Sequence, residues 1–358
     1  YHAGSLPPRG STGSCRRGKG KYPPLTHFTK MTDKPFYPSF WLDKPYYSFH
    51  AYCQKVFHEK LYKIAVNAGM TCPNRDGTLG YDGCIFCSEG GSGDFAVDTA
   101  SLSITEQIQN GLSLFGSKKT GKRFIIYFQA YTNTYAPVSR LRSLYTQALE
   151  NAHVAGISIA TRPDCLPDDV LALLNELRTS YPEKFIWIEL GLQTIHEKSA
   201  GYIRRAYPLS RFTAAVDALH RISIPVIVHI ILGLPGETKE QMYQTISFLN
   251  TLPIFGIKLQ LLHVLKDTGL AKDYQNGCFS VLSMDTYVNL IIGCLERLSP
   301  QIVVHRITGD GPKELLLAPR WSLAKRTVLN TIHHELRLRR TWQGKELNHN
   351  DTGPADTL

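Results

Sequence analysis

From residue 61 to residue 263, short apolar runs alternate with longer segments in which apolar residues recur at helical spacing. The short runs predict six strands, and the longer segments predict the helices between them. The strands are predicted over 61–66, 124–128, 156–160, 185–192, 225–232 and 257–263, and the helices over 104–115, 138–151, 167–178, 211–221 and 239–252. Near-continuous apolar runs are typical of strands covered on both faces. The alternation predicts a parallel α/β sheet, and periodicity alone leaves open a full barrel, a partial barrel or an open doubly wound sheet.

Residues outside this alternation predict the remaining organisation. Residues 1–30 contain six Lys or Arg and no Asp or Glu, lack the apolar core of a signal peptide, and predict a disordered leader. Met31 is the first methionine, so an alternative is that translation begins there and the leader is upstream or added sequence. We predict an extended N-terminal arm over 31–50, a barrel over 51–268, a mostly helical basic C-terminal extension over 269–346 and a disordered tail over 347–358.

Composition narrows the class of protein. The chain is 43% hydrophobic and 20% charged, and no apolar run approaches the ~18 residues of a membrane helix. We therefore expect a soluble, cytoplasmic protein without a membrane partner. The formal charge of +10 falls to +4 outside the leader, so the total charge overstates any signal for nucleic-acid binding. Eight cysteines in 358 residues are too few for a disulfide scaffold.

Three of the cysteines lie close together after the first predicted strand. Cys72, Cys84 and Cys87 are spaced C-x11-C-x2-C in a loop rich in Gly, Pro and Asn. Thiolate ligands favour zinc or an iron–sulfur cluster. A structural zinc site uses four ligands, and the loop contains no fourth Cys or His, although Cys53 or His58 could complete such a site. A [4Fe–4S] cluster held by three thiolates would leave one iron open.

Polar or small residues follow four other predicted strands, over 129–133, 161–164, 191–194 and 233–237. Ligands of parallel α/β folds bind at the carboxyl ends of the strands. We therefore expect these loops to converge with the cysteine loop on one face.

Together these features resemble the radical S-adenosylmethionine (radical SAM) superfamily. The resemblance rests on a cysteine triad after the first strand of a β/α chain, with the aromatic Phe86 just before the last cysteine. The long triad spacing is similar to that of the YhcC/YtqA-type subfamily, as are four further motifs. These are AGMTCPNRDGT (68–78), YFQAYTNTY (127–135), TRPD (161–164) and HRITGDGP (305–312). The resemblance covers residues 52–336.

The resemblance implies a partial (β/α)6 TIM-like barrel with a mostly apolar interior. It also implies that Cys72, Cys84 and Cys87 are the metal ligands and catalytic cysteines of a [4Fe–4S] cluster. S-adenosylmethionine would bind the open iron and yield a 5′-deoxyadenosyl radical. The superfamily often carries Gly-Gly-Glu after the second strand, and this chain lacks it, so Gln129 or backbone carbonyls would substitute. The residues implied to bind S-adenosylmethionine are Phe86, Gln129, Tyr131, Thr161, Glu189, Gln193, Arg205 and Gly233.

The subfamily resemblance further implies tRNA as the substrate, at a wobble uridine that carries a carboxymethylaminomethyl side chain. A reductant such as flavodoxin or ferredoxin would be a second partner. Residues 313–346 contain eight Lys or Arg against three Glu, together with Trp321 and Trp342, a mixture suited to phosphates and stacked bases. Two alternatives remain: radical chemistry on a small metabolite or porphyrin-like molecule, and a zinc-stapled RNA-binding protein without catalysis.

Overall fold

The computed structural model describes residues 36–91, 102–115, 122–309 and 311–347. These residues belong to one compact unit, Phe36–Leu358. The predicted leader, the first part of the predicted arm and all but the first residue of the predicted tail lie outside the described residues.

The strands form a seven-stranded parallel sheet in the order β1-β2-β3-β4-β5-β6-β8 and a separate antiparallel pair, β7 and β9. They are β1 (Tyr62–Val66), β2 (Phe124–Phe128), β3 (Val154–Thr161), β4 (Phe185–Gln193), β5 (Val226–Leu232), β6 (Gly256–Leu261), β7 (Val264–Leu265), β8 (Val303–Arg306) and β9 (Leu316–Ala318). Each of the first five strands pairs with the next one along the chain, and β6 pairs with β8. This order produces the predicted TIM-like partial barrel.

Most of the helices connect successive strands, whereas α1 precedes β1 and α10 follows β9. They are α1 (Phe49–Phe57), α2 (Ile104–Phe115), α3 (Val138–Leu149), α4 (Asp168–Ser180), α5 (Glu197–Tyr202), α6 (Leu209–Arg221), α7 (Lys239–Leu249), α8 (Gly269–Gln275), α9 (Met284–Arg297) and α10 (Lys325–Leu338). Local sequence sets some of their starts. Thr238 and Gln241 form a capping box on α7, and the Ser283 hydroxyl accepts from the Thr286 backbone N–H at the start of α9.

Successive side chains along each strand alternate between the helix-covered outside of the sheet and the interior of the barrel. Residues such as Ile64, Ile126 and Val228 pack against the helices in the main hydrophobic core. Residues at the intervening positions point into the barrel. Near the amino ends of the strands, Ile125 and Trp187 pack with Cys53 of α1, which closes that end of the interior. A cavity can therefore open only toward the carboxyl ends.

The seventh strand of the sheet comes from the segment predicted as a C-terminal extension. Strand β8 pairs with β6, and Ser48 forms an isolated bridge with Val304 of β8. The buried Gln343 side chain accepts from the Tyr47 backbone N–H (2.9 Å) and donates to the carbonyls of Ser299 (2.6 Å) and Ile302 (2.8 Å). The arm and the end of the extension are thus fixed at the same sheet edge.

Three helices were not predicted. Helices α5 and α8 span only six and seven residues, too short for a clear apolar period. Helix α1 is rich in aromatic residues and follows the proline-rich arm, so its sequence resembles the arm more than a helix. Among the described residues, no helix is both long and apolar enough to cross a membrane.

Candidate active site

A cavity of about 470 Å³ lies at the carboxyl ends of the strands. Its wall contains all three clustered cysteines and inward residues of β2, β4, β5, β6 and β8. His229 and His263 also line it. The cysteine loop and the strand-end loops 129–133, 161–164 and 191–194 therefore meet at one cavity, as predicted, whereas the loop 233–237 contributes no residue to its wall.

Backbone and arginine contacts hold the cysteine loop in shape. The Cys72 carbonyl accepts from the Arg75 backbone N–H (2.8 Å), and the Arg75 guanidinium donates to the carbonyls of Cys87 (3.2 Å) and Ser88 (2.5 Å). Gly83 has φ +71°, and a Cβ there would lie 2.8 Å from Arg75 Nε. Glycine is needed at this position because it permits both the left-handed backbone and the close approach of Arg75.

The Cys84 thiol lies among groups that favour its anionic form. A hydrogen bond with Cys87 lowers the pKa of Cys84 to about 7, against the effect of burial, and Arg162, Asn74 and Arg75 add to the shift. Asn74 Nδ2 lies 3.5 Å from Cys84 Sγ and also donates to the Arg204 carbonyl (2.8 Å). Because the thiolate is the metal-binding form of cysteine, this environment prepares Cys84 to be a ligand.

A buried carboxylate organises the barrel interior below the loops. Glu189 Oε1 accepts from Lys63 Nζ (2.6 Å) and Ser158 Oγ (2.7 Å), and its Oε2 accepts from His229 Nε2 (2.6 Å) and Lys258 Nζ. Burial by itself would raise the pKa of Glu189, but the two lysines and the histidine hold that pKa well below its usual value. The interior therefore contains a fixed ionised carboxylate, in contrast to the mostly apolar interior that the resemblance implied.

His229 takes part in this network as a neutral ring. Gln260 Nε2 lies 3.2 Å from His229 Nδ1, so Nδ1 accepts and the Nε2–H donates to Glu189. Burial lowers the pKa of His229 to about 4, and the positive charge of Lys258 contributes. His229 is thus both hydrogen-bonded within the buried network and part of the cavity wall.

Comparison with protein families identifies the chain. Residues 69–249 match the model of the Radical SAM superfamily, and residues 254–337 match the Radical_SAM C-terminal domain. The chain belongs to the radical SAM superfamily. It is therefore a radical SAM enzyme, and its cofactors are a [4Fe–4S] cluster and S-adenosylmethionine. This assignment excludes the alternative of a zinc-stapled protein without catalysis.

Two relatives place the enzyme within the superfamily. It is 44% identical to YtqA of Bacillus subtilis (strain 168) over 315 residues, covering 88% of this chain and 96% of YtqA. It is 36% identical to YhcC of Escherichia coli (strain K12) over 265 residues, covering 74% of this chain and 84% of YhcC. These matches confirm the predicted subfamily.

A solved structure supports the fold. The archaeal Methanocaldococcus infernus Elp3 with an N-terminal deletion matches with a TM-score of 0.60 at 12% identity, over 80% of this chain and 64% of that chain. At this identity the match concerns the fold alone. It agrees with the partial barrel described above.

The cysteine loop fits a cluster held by three thiolates. Cys72, Cys84 and Cys87 form no disulfide bond, line one cavity and have two arginines, Arg75 and Arg162, on the same wall. Within the part of the chain that the structure describes, no three His, Cys, Asp or Glu side chains lie close enough together to hold a single metal ion. The assignment of the three cysteines as cluster ligands stays a prediction that the cavity geometry favours.

Four of the residues predicted to bind S-adenosylmethionine line the cavity: Phe86, Gln129, Tyr131 and Gln193. Tyr131 has φ +61°, its backbone N–H donates to the Gly91 carbonyl (3.1 Å), and its hydroxyl donates to the Glu89 carbonyl. The strand-end loop that carries Tyr131 is thereby tied to the segment after the cysteine loop. The S-adenosylmethionine contacts of these four residues stay a prediction that their place in the cavity wall favours.

The other four, Thr161, Glu189, Arg205 and Gly233, are not part of the cavity wall. Arg205 is 2% exposed and donates to the carbonyls of Tyr207 (3.0 Å) and Thr194 (2.6 Å) and to the Glu197 carboxylate (3.0 Å). It is neither a surface arginine nor a cavity residue, and its contacts stabilise the turn after β4.

Thr161 and Gly233 also have contacts within the protein. The Thr161 hydroxyl lies 2.5 Å from the Thr134 hydroxyl, and the Gly233 N–H donates to Met242 Sδ (3.3 Å). Gly233 has φ +89°, and it lies in the turn that follows β5. The predicted cofactor contacts of Thr161, Glu189, Arg205 and Gly233 stay predictions without support from the cavity geometry.

The sequence reasoning missed the cations inside the barrel. Lys258 and Arg306 line the cavity, and Lys63 supports Glu189 from below. One signal was present in the sequence. Lys258 and Gln260 are polar residues two positions apart in an otherwise apolar strand, and such spacing places both on one face. A lysine on the inner face of a barrel strand should be read as a site residue.

Proposed function

We propose that this radical SAM enzyme modifies tRNA, and that it acts on a wobble uridine whose carboxymethylaminomethyl side chain enters the cavity. One observation carries the proposal: a single cavity of about 470 Å³ has the three cysteines at its mouth and cations deeper in the barrel. Such a compartment can receive the cofactors at one end and an anionic side chain at the other. The subfamily resemblance supports tRNA as the source of that side chain.

Different residues of the chain would bind the cluster, hold the cysteine loop and exclude water. Cys72, Cys84 and Cys87 would hold the cluster, and Arg75 keeps their loop closed through its carbonyl contacts. With both cofactors bound, the site supplies a carbon-centred radical that removes a hydrogen atom from the substrate. Apolar wall residues such as Ile231 would keep water away from that chemistry.

The RNA-binding part of the proposal rests on exposed cations of the C-terminal region. Arg326, Arg337 and Arg340 are exposed on or just after α10. The two tryptophans of this region are used inside the protein: Trp321 Nε1 donates to the Leu282 carbonyl (3.0 Å), and the Trp342 ring packs at 5.6 Å from that of Phe36. Contact with phosphates is therefore better supported than stacking of bases on these rings.

Mass spectrometry of tRNA nucleosides tests the proposal. Cells that lack the gene should accumulate carboxymethylaminomethyluridine and lose the aminomethyl and methylaminomethyl derivatives. Anaerobically prepared enzyme with S-adenosylmethionine should convert the accumulated tRNA, with flavodoxin or ferredoxin as the electron donor. A cytoplasmic location, where tRNA is available, belongs to the same proposal. An unchanged wobble-uridine profile would contradict it and favour a small-molecule substrate.

A further inference from the structure

The inner end of the cavity has a chemistry that the cofactors do not explain. Lys258 lies three residues before the end of β6, so it sits deeper in the barrel than the loops at the strand ends. Arg306 of β8 is its partner in the strand register, and both side chains line the cavity. Two neighbouring strands therefore present two cations at the same level of the barrel.

The position of Lys258 is fixed by its neighbours. Its Nζ binds Glu189 Oε2, lies 3.3 Å from the Tyr127 hydroxyl and sits 4.5 Å from the centre of the Tyr127 ring. The residue is only 4% exposed, and it forms part of the cavity wall. A lysine held in this way is preorganised, so binding a ligand costs little side-chain entropy.

The charges around Lys258 favour an anion. Glu189 is shared between Lys258 and Lys63, and burial lowers the pKa of Lys258 well below its usual value despite that carboxylate. Among the described residues, the cavity wall includes Arg75, Arg162, Lys258 and Arg306 and no Asp or Glu. A second anion beside Lys258 would stabilise its ammonium form.

The two arginines at the cavity mouth hold the loops that surround it. Arg75 donates to the carbonyls that follow Cys87, and Arg162 forms an ion pair with Asp164 (2.7 Å). Lys258 and Arg306 are the cations of the inner wall. A carboxylate at the tip of a flexible side chain has the charge to bind there and the reach to arrive from the mouth.

We propose that Lys258, with Arg306 beside it, forms a subsite for the carboxylate of the substrate. The inference rests on the proposed function, because the carboxymethylaminomethyl side chain of the wobble uridine carries such a carboxylate. The subsite would make the enzyme select the carboxylated uridine over its aminomethyl product. Conversion to the aminomethyl product would remove the carboxylate that Lys258 binds, and the product would therefore be released more easily.

The first experiment compares two ligands on the wild type and three variants. Holoenzyme with S-adenosylmethionine is titrated with tRNA bearing carboxymethylaminomethyluridine and with the same tRNA bearing aminomethyluridine. The wild type should bind the carboxylated tRNA roughly 10- to 100-fold more tightly, the range expected for a charge-assisted hydrogen bond. Lys258→Met should lose this preference, and Lys258→Arg should keep most of it.

Lys63→Met is the matched control. Like Lys258→Met, it removes a lysine that is paired with the Glu189 carboxylate. Lys63, however, is not part of the cavity wall. It should therefore keep the preference for the carboxylated tRNA. Thermal unfolding of each variant shows whether it is folded. If Lys258→Met kept the preference, or if Lys63→Met lost it equally, the subsite would be disproved.

A second experiment does not depend on tRNA. Malonate and its neutral analogue malonamide are titrated into the wild type, Lys258→Met and Lys63→Met. Malonate alone should bind, and only when Lys258 is present. Should wild-type enzyme fail to convert tRNA while malonate binding still requires Lys258, the proposed function fails and the subsite stands. The opposite result is that tRNA is converted, but Lys258 affects neither the preference for the carboxylated tRNA nor the preference for malonate. In that case the proposed function stands and the subsite fails.

Discussion

Cys84 differs from the buried Cys165 in the groups that surround its thiol. Its pKa falls to about 7 through Cys87 and nearby polar and cationic groups, whereas burial raises the pKa of Cys165 to about 12. Cys165 lies just after β3 and is not part of the cavity wall. The two residues thus offer a comparison between a thiol suited to bind metal and a buried inert one.

Cys84→Ala should abolish the cluster and leave the barrel folded. The thiol lies in a loop above the strands, and its removal takes away one of three ligands without opening the main core. Iron and acid-labile sulfide should fall to background, and 5′-deoxyadenosine formation should drop by at least about 10³-fold. Thermal unfolding of the cofactor-free protein should differ from that of wild type by no more than about 1 kcal/mol, because Cys84 is half-buried but lies outside the main hydrophobic core.

Cys165→Ala is the control for this prediction. It removes a buried cysteine near the same cavity and should leave the iron content unchanged. Retention of S-adenosylmethionine cleavage by Cys84→Ala would show that the ligand assignment is wrong. Loss of iron in both variants would point to a general effect of disturbing this end of the barrel.

At the scale of elements, α10 and the N-terminal arm are coupled through His333. Its Nε2 lies 2.9 Å from the Tyr46 hydroxyl, and the two rings stack at 5.9 Å. Burial lowers the pKa of His333 to about 4, and the positive charges of Lys44 and Arg337 assist. The contact therefore contains a neutral histidine at pH 7.

This shift predicts a pH-dependent stability. In the unfolded chain His333 takes up a proton near its ordinary pKa of 6.5, and in the folded chain it does so only near 4. Below pH 6.5 the unfolded state binds more protons, so stability falls as the pH drops from 6.5 toward 4. Between pH 7 and pH 5 we expect His333 to account for a loss of about 1 kcal/mol, after a discount for its partial exposure.

Urea unfolding at the two pH values measures this loss. The free energy of unfolding of His333→Gln should fall by about 1 kcal/mol less than that of wild type between pH 7 and pH 5. The exposed neighbour His334 supplies the control, and His334→Gln should follow the wild type. Equal losses in wild type and His333→Gln would mean that the contact does not titrate in this range.

Some helices and strands could be predicted from the sequence alone, and others could not. Strands β2 and β4 and helix α2 were predicted to within one residue, because their apolar periods are long and uninterrupted. The pairing of β8 with β6 was not predicted, since a four-residue strand has too short a pattern to specify a distant partner. The cysteine loop was predictable from spacing, whereas the contacts of Arg205 and Glu189 depend on burial created by the whole barrel.

At the scale of the whole molecule, we expect RNA binding to depend more on where the positive charges lie than on the net charge. Of the formal charge of +10, only +4 remains outside residues 1–30. Arg326, Arg337 and Arg340 are exposed cations of the region proposed to contact RNA. Lys198, Arg211 and Arg221 are equally exposed cations on or beside α5 and α6. Two sets of three substitutions can therefore change the net charge equally at different places.

Replacing Arg326, Arg337 and Arg340 by alanine should weaken tRNA binding roughly 10-fold or more at 0.1 M salt, because each lost phosphate contact also loses counterion release. The slope of log affinity against log salt should become shallower by about 2–3 units if all three contact phosphates. Alanine at Lys198, Arg211 and Arg221 should leave the slope within about one unit of wild type. Equal weakening by the two sets would mean that total charge, and not the C-terminal surface, attracts the RNA.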